Sequence, residues 1–306
     1  MALLNMFRSK PEEKAPESRD LSGLLEGFSI EVMPRTAAKI DDFRSLLPQG
    51  TRVYIAHIDG TPIDDMVATA KRLTDDGFVA MPHIPARLIP NRATLEDWVN
   101  RYHNDAGVEQ ALLLGGGLAN PIGELESSMH LIETGLFDRY GFKRLHVAGH
   151  PEGNKDIDPD GTTKAVDDAL KFKQVYSENT DAKLAIVTQF SFDPKPVITW
   201  AERIAAAGVK MPIHLGIAGP TKLQTLIKFA LSCGVGASIS VLQKRALDLS
   251  KLLVPYEPTE FLSEIAAYRA ANPASLIEQI HVFPLGGILP SAEYMRQRLP
   301  AVNLSA

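Results

Sequence analysis

Residues 184–219 read LAIVTQFSFDPKPVITWAERIAAAGVKMPIHLGIAG, and this stretch contains one complete unit of the fold. Its two apolar runs, 184–192 and 212–219, have the length and the β-branched residues of buried strands. The segment between them, 196–207, has the apolar spacing of an amphipathic helix. Because strand, helix and strand follow in this order, we predict two parallel strands joined by a crossover helix. Strands that are apolar nearly throughout indicate a parallel sheet with both faces covered.

The same alternation continues along the chain. Helical patterns recur at 62–76, 94–107, 162–178 and 220–232. Eight strand–helix units in roughly 280 residues predict an α/β fold, a (β/α)8 TIM barrel, which typically needs ~250 residues. The six further candidate strands are 28–34, 51–58, 78–85, 110–117, 144–152 and 279–287.

Three details refine this prediction. The gap before the last strand is too long for one helix, so we predict extra helices within 238–272. Ahead of the apolar face of the helix at 94–107, Thr94 and Asp97 have the spacing of a capping box. A doubly wound open sheet is the alternative fold, but no G-x-G-x-x-G motif follows the first strand.

The composition is that of a globular protein, with 306 residues, 45% hydrophobic and 23% charged. A net charge of −5 argues against a nucleic-acid surface, which needs clustered Lys and Arg. No apolar run reaches the roughly 18–20 residues of a membrane helix, and the single cysteine, Cys233, fits a reducing compartment. We therefore expect a cytoplasmic protein without membrane or nucleic-acid partners. Its predicted parts are a disordered charged tail (1–20) and a single barrel domain (21–306).

In barrels of this class the functional groups lie at the C-terminal ends of the strands. Among them, Glu31 is a candidate acid or base if burial raises its pKa; a purely structural carboxylate is the alternative. Gly286–Gly287 is either a phosphate-binding turn or a simple tight turn. The predicted strand ends carry a mixed polar set: Glu31, His57, His83, Gly115–Gly117, His150, Glu152, Gln189, Gly216 and Gly286–Gly287.

Histidines raise a further hypothesis. Of the eight in the chain, we place His57, His83, His150 and His214 on or at the ends of strands. Convergent histidines suit a metal-dependent hydrolase, whose zinc needs three or four ligands. No His-x-His pair occurs anywhere in the sequence, so we predict no metal ligand and keep the hydrolase only as an alternative.

A series of short motifs resembles the methylenetetrahydrofolate reductases. The motifs SIEVMPR, MPHIPAR, VAGHPEG, VTQFSFD and LIKFA occur in family order across roughly residues 28–290. The resemblance implies a TIM barrel that holds FAD at the strand ends and takes hydride from NADH or NADPH. It implies an oxidoreductase of one-carbon metabolism that interconverts 5,10-methylenetetrahydrofolate and 5-methyltetrahydrofolate. The direction, methionine supply or methyl disposal, stays open, and we expect a homo-oligomer.

The roles implied by the resemblance fall on matching positions. Glu31 matches the catalytic acid/base that protonates the folate, and Gln189 and Phe229 match contacts to the pterin and the nicotinamide. Lys173 matches the lysine that meets the FAD diphosphate. The positions implied for cofactor binding are His57, His83, Gly115, Gly116, Gly117, Ala148, His150, Asp167, Asp168 and Lys173.

One departure from the family stands at the end of the fourth strand. The family has Arg-Gly-Asp where this chain has Gly115–Gly117, so the aspartate that faces flavin and folate has no counterpart. Either a nearby acid, Glu124 or Glu126, takes its place, or the site runs differently. A folate- or flavin-binding barrel without normal reductase turnover is therefore the alternative function.

Overall fold

The computed structural model describes residues 21–232, 242–243 and 254–299. Eight parallel strands close into a barrel in chain order, so the prediction of a (β/α)8 TIM barrel is confirmed. The strands are β1 (Ser29–Val32), β2 (Arg52–Ile55), β3 (Val79–Pro85), β4 (Gln110–Leu114), β5 (Arg144–Gly149), β6 (Lys183–Phe190), β7 (Ile213–Ala218) and β8 (Ile277–Phe283).

Helices connect the strands and cover the outside of the barrel. Within the described segments, none of them is long and apolar enough to cross a membrane. They are α1 (Ser22–Leu25), α2 (Pro34–Ala37), α3 (Ile63–Asp75), α4 (Arg92–Ala106), α5 (Ser128–Glu133), α6 (Leu136–Arg139), α7 (Lys164–Ser177), α8 (Pro194–Ala206), α9 (Leu223–Ser232), α10 (Thr259–Ala271) and α11 (Ile288–Arg296).

The predicted start of α4 was two residues late. Asn91 is the residue that caps this helix, and its side chain accepts a hydrogen bond of 2.9 Å from the backbone N–H of Thr94. Thr94 therefore lies inside the first turn, and the capping box predicted from Thr94 and Asp97 was wrong. An Asn at this position satisfies one of the free N–H groups of the first turn equally well.

The extra helices before the last strand are confirmed in part. Helix α10 matches the second of them. The first predicted helix, at 238–253, falls almost wholly outside the described residues. The predicted tail (1–20) and Cys233 also lie outside them.

Side chains on each strand alternate between two surroundings, because successive residues point to opposite faces. One set, which includes Ile30, Val53, Leu113, Leu145 and Ile280, faces the helices and belongs to one large buried apolar cluster. We call this cluster the helix-facing core. The other set points into the barrel, where it includes Ser29, Glu31, Tyr54, Met81, His83, Leu112, His146, Val187, His214 and His281.

The N-terminal end of the barrel, its floor, is closed by polar contacts. Arg52 donates from Nε to Gln110 Oε1 at 2.9 Å and from Nη1 to Gln279 Oε1 at 3.3 Å. These bonds tie strands β2, β4 and β8 together across the floor. The opposite end, where the strands finish, is therefore the open mouth of the barrel.

Candidate active site

Glu31 lies on β1 near the mouth and faces two histidines from other strands. Its Oε2 atom is 3.2 Å from Nε2 of His83, on β3, and 3.9 Å from Nε2 of His281, on β8. The Glu31 side chain is 19% exposed, whereas His281 is 1% exposed. The carboxylate is thus partly exposed near the mouth and flanked by two imidazoles.

The surroundings of Glu31 set its charge. Burial raises the pKa of this carboxyl group, but the facing His83 and His281 outweigh burial and lower the pKa to about 2. The condition placed on Glu31, a pKa raised by burial, is therefore not met, because both imidazoles outweigh the effect of burial. Glu31 is ionised at neutral pH. In contrast, burial keeps the pKa of His281 below its usual value in spite of the neighbouring carboxylate.

His57 lies behind this pair, just after β2. Its Nε2–H donates to the carbonyl of Thr61 at 3.0 Å, and its ring packs 4.9 Å from the ring of Trp98. Burial lowers the pKa of His57, and the charge of His83 lowers it further. His57 is therefore a neutral wall residue whose second ring nitrogen, Nδ1, is buried without a hydrogen-bond partner among the described residues.

A cavity of 330 Å³ opens beside the ends of β5 and β6. It is lined by the loop 149–156 and by 189–191, which brings the predicted residues His150 and Gln189 together. The Gln189 side-chain carbonyl accepts a hydrogen bond of 3.1 Å from the backbone N–H of Phe190. Ala148 is on the same strand end, paired with Val187. This volume is at the lower end of the range for small-molecule sites.

Lys173, on α7, is a buried cation next to this cavity. It is only 5% exposed, and burial lowers its pKa to about 8. Burial, with a further effect of the Lys173 charge, also lowers the pKa of His150 to about 4. No carboxylate in the described part of the chain forms an ion pair with Lys173. Since buried charges require partners, this ammonium is suited to an anionic group.

The two aspartates on α7 already have cationic partners. Asp167 accepts from Arg203 Nη1 at 2.5 Å and from Thr163 Oγ1 at 2.8 Å. Asp168 is half-exposed and pairs with Lys164 and Lys171, at 2.9 and 3.3 Å. Both carboxylates are therefore engaged in ion pairs at the surface of α7 in this structure.

The three glycines after β4 differ from one another. Gly116 has φ +96°, and a Cβ added to it would lie 3.1 Å from Cβ of Pro85, so this position requires glycine. A Cβ at Gly117 would meet nothing within 4 Å, and at Gly115 only the Glu126 carbonyl at 3.7 Å. Gly116 is thus glycine for backbone reasons, whereas Gly115 and Gly117 leave room that side chains would fill.

Two other predicted positions lie apart from these groups. Phe229 lies on α9 with 37% of its surface exposed, which leaves its ring accessible to a stacking ligand. Glu124, one suggested substitute for the absent aspartate, accepts a hydrogen bond of 2.8 Å from the backbone N–H of Arg92 at the start of α4.

The histidine count from sequence was too low. His146 on β5 and His281 on β8 also point into the barrel, so six of the eight histidines lie on or at the ends of strands. Tyr54 was missed as well, and its hydroxyl makes a short hydrogen bond with Nδ1 of His146. The sequence does contain the pattern that would have predicted them, because each of these residues alternates with apolar neighbours that face the helices.

Two alternatives were left open by the sequence, a metal-dependent hydrolase and a phosphate-binding turn at Gly286–Gly287. Over residues 21–232, 242–243 and 254–299, no three His, Cys, Asp or Glu side chains form a group able to hold a metal ion, so the hydrolase gains no support. A Cβ at Gly286 would lie 2.1 Å from the carbonyl of Pro220, and Gly287 has φ +108°. Tight-turn geometry therefore accounts for this glycine pair.

Comparison with known proteins supports the fold, a (β/α)8 TIM barrel. No protein-family model matches the sequence. A solved structure with a similar fold is that of an uncharacterised protein from Clostridium thermocellum that binds two copies of 5-methyl-5,6,7,8-tetrahydrofolic acid. The TM-score is 0.54 at 11% sequence identity, and the match covers 88% of this chain and 94% of that chain.

Proposed function

We propose that this protein binds a reduced folate at the barrel mouth and interconverts 5,10-methylenetetrahydrofolate and 5-methyltetrahydrofolate with FAD and NADH or NADPH. The observation that carries this proposal is the ionised Glu31 carboxylate at the mouth, flanked by His83 and His281. The order of the sequence motifs and the folate bound by the structurally similar protein support it.

The position of Glu31 near the mouth supports a role in proton transfer. Opening or closing the methylene bridge needs a proton added to or removed from a folate nitrogen, and a carboxylate at hydrogen-bond reach performs this task. A bound ligand that covers Glu31 excludes water from it, which favours the neutral, proton-donating form. His83 and His281 flank the carboxylate and help to hold it in place.

The residues present suit the anionic end of FAD. Lys173 is a buried ammonium that no described carboxylate neutralises, next to a cavity lined by His150. Placing a diphosphate there would supply the missing negative charge. When bound, FAD would supply the hydride chemistry, while the protein positions the ring and the folate and controls the proton.

The first test is the absorbance spectrum of the purified protein after incubation with FAD. We expect a flavin spectrum that bleaches under anaerobic conditions with NADH or NADPH, and separately with 5-methyltetrahydrofolate. Lys173→Met should weaken FAD retention, and Lys171→Met, at an exposed lysine on the same helix, is the matched control. A protein that takes up no FAD would refute the reductase.

A second candidate function is folate binding without reductase turnover. It is favoured by the Gly115–Gly117 run, which lacks the family's carboxylate, and by Asp167 and Asp168, which are occupied by ion pairs. Calorimetric titration of flavin-free protein with 5-methyltetrahydrofolate separates the two. Binding without FAD uptake, and without any effect of Glu31→Gln on a measured rate, would favour the second candidate.

A further inference from the structure

The barrel interior contains a column of polar side chains that runs from mouth to floor. Such a column is unusual because barrel interiors are dominated by bulky branched apolar residues. The members of this interior column are, from the mouth downward, Glu31, His281, Ser29, Tyr54, His146, His214 and Glu278.

Hydrogen bonds connect the upper part of the interior column. Below Glu31, the Nδ1 atom of His281 lies 2.9 Å from the Ser29 hydroxyl. The Tyr54 hydroxyl is hydrogen-bonded to Nδ1 of His146 and lies next to the Ser29 hydroxyl. Each of these groups can donate and accept, so the neighbouring Ser29 and Tyr54 hydroxyls can join the two bonds into one chain from His281 to His146.

The lower part reaches the floor. The rings of His146 and His214 are 4.6 Å apart, edge to face, and Nε2 of His146 and Nδ1 of His214 are buried without partners among the described residues. His214 Nε2 is 3.3 Å from Oε2 of Glu278. A register shift places His214 opposite Gln279 instead of Glu278, which makes Glu278 the extra residue of a bulge. Its side chain is 59% exposed at the floor.

The direction of the hydrogen bonds in this chain is tied to the charge of Glu31. When Glu31 is ionised, His281 presents Nε2–H to it, so Nδ1 accepts from Ser29. Ser29 in turn accepts from Tyr54, and Tyr54 accepts from Nδ1–H of His146. When Glu31 holds a proton and donates it to His281, every bond in the chain points the other way.

We propose that the interior column is a proton relay that exchanges protons between Glu31 and solvent at the floor. The inference rests on the proposed function only for the use of the proton. A folate at the mouth would close the direct route to water, and the floor offers a second one. One proton enters at the Glu278 carboxylate, each group accepts one and passes one on, and one arrives at Oε2 of Glu31. Three steps have no hydrogen bond in the structure: His281 to Glu31, at 3.9 Å, Ser29 to Tyr54, and His146 to His214. Each requires a small reorientation of these side chains, and the His146–His214 step limits the relay.

The charges along the interior column favour the passage of a proton through its histidines over the storage of a proton on them. Burial lowers the pKa of both His146 and His214, and the positive charges of Arg52 and Arg144 lower them further. Both imidazoles are therefore neutral at rest and release at one nitrogen the proton they take up at the other. A set of buried groups paired only for stability needs no continuous chain through Ser29 and Tyr54, and this difference makes the relay testable.

The first experiment reads the histidine tautomers by ¹⁵N NMR in the full-length protein, without folate or flavin. With Glu31 ionised, the relay requires Nε2–H on His281 and Nδ1–H on His146 in the same molecule. Ser29→Ala should shift His146 towards Nε2–H although Ser29 does not touch it, because Tyr54 is then free to donate to His146. Ser291→Ala, at another fully buried serine, is the control and should leave His146 unchanged.

Two results would overturn the relay, whatever reaction the protein catalyses. One is a wild-type His146 that carries its proton on Nε2. The other is a His146 tautomer that does not change in Ser29→Ala. Where turnover is measurable, Glu278→Gln should lower kcat several-fold at unchanged KM, because Glu278 lies far from the mouth. An unchanged kcat would refute entry through the floor. A protein with the required tautomers and no folate turnover would instead refute the proposed function alone.

Discussion

The two faces of each barrel strand follow opposite chemistry. The face towards the helices is apolar and joins Ile30, Leu113 and Leu215 in one continuous core. The face towards the interior holds histidines, a tyrosine, a serine and a glutamate, and its only apolar cluster is small among the described residues. The helix-facing core is built for stability, since buried apolar area drives folding. The interior column keeps polar groups that cost desolvation unless each is paired.

The contrast between the two faces indicates how substitutions on each should act. Removing apolar volume from the helix-facing core should affect folding, whereas substitutions at the mouth and in the interior column should affect proton chemistry with less effect on folding. The predictions below test that division.

The largest expected effect is on activity, at the top of the interior column. Glu31→Gln removes the proton-transferring group but keeps its shape, so the rate of anaerobic flavin bleaching by 5-methyltetrahydrofolate should fall by about 10²–10⁴-fold. Glu260→Gln, at an exposed glutamate on α10, is the control and should react as wild type. A wild-type rate in Glu31→Gln would contradict the acid/base role.

A stability experiment compares the two faces directly. Leu215→Ala, at a fully buried position of the helix-facing core, should cost about 2–5 kcal/mol of unfolding free energy. Tyr54→Phe, in the interior column, keeps the ring volume and loses the hydrogen bond to His146, so we expect a cost of about 1–3 kcal/mol. Urea denaturation followed by circular dichroism measures both. If Tyr54→Phe proves the more damaging change, the interior column is the main source of stability and the division fails.

Sequence alone was enough for the barrel because strands of this class carry a strong local signal. The apolar runs at β4 and β7 predict buried parallel strands, and the helices between them follow from the 3.6-residue spacing. The position of Glu31 at a strand end followed as well, because parallel strands of a barrel all end at the same mouth.

The charge of Glu31 could not be predicted from the sequence. Its pKa depends on His83 and His281, which are 52 and 250 residues away in the chain and meet Glu31 only when the barrel closes. The interior column was missed for the same reason. His146 and His281 look like single polar interruptions of apolar strands until the closed barrel brings them together.

Acid should weaken the protein through its buried histidines. Burial lowers the pKa of His214 to about 3, so below pH 6.5 the unfolded state binds a proton that the folded state refuses. Stability is thus lost as the pH falls from about 6.5 towards 3, by about 2 kcal/mol at pH 5 for one such histidine. Glu31 acts in the same direction only below its ordinary pKa of 4.5, because its folded pKa is about 2.

The matched measurement is the urea midpoint at pH 7 and pH 5. His214→Gln should lose less stability over this range than wild type, by about 2 kcal/mol. His130→Gln, at a half-buried histidine on α5 outside the barrel, should keep the wild-type pH dependence. An unchanged pH dependence in His214→Gln would mean that this imidazole is already charged in the folded protein.

The smallest expected effect is at the mouth, where β4 ends in glycines. Gly117→Asp meets open space and an ordinary φ, so it should change the unfolding free energy by less than about 0.5 kcal/mol. Gly116→Asp forces a side chain into φ +96° against Pro85 and should cost roughly 1–2 kcal/mol of unfolding free energy.

Gly117→Asp also restores the carboxylate that the reductase family has at this point. We expect it to tighten 5-methyltetrahydrofolate binding by about tenfold in calorimetric titration, or about 1.4 kcal/mol. Unchanged affinity in a stable Gly117→Asp protein would mean that the folate does not reach the end of β4, and that the mouth is used differently here.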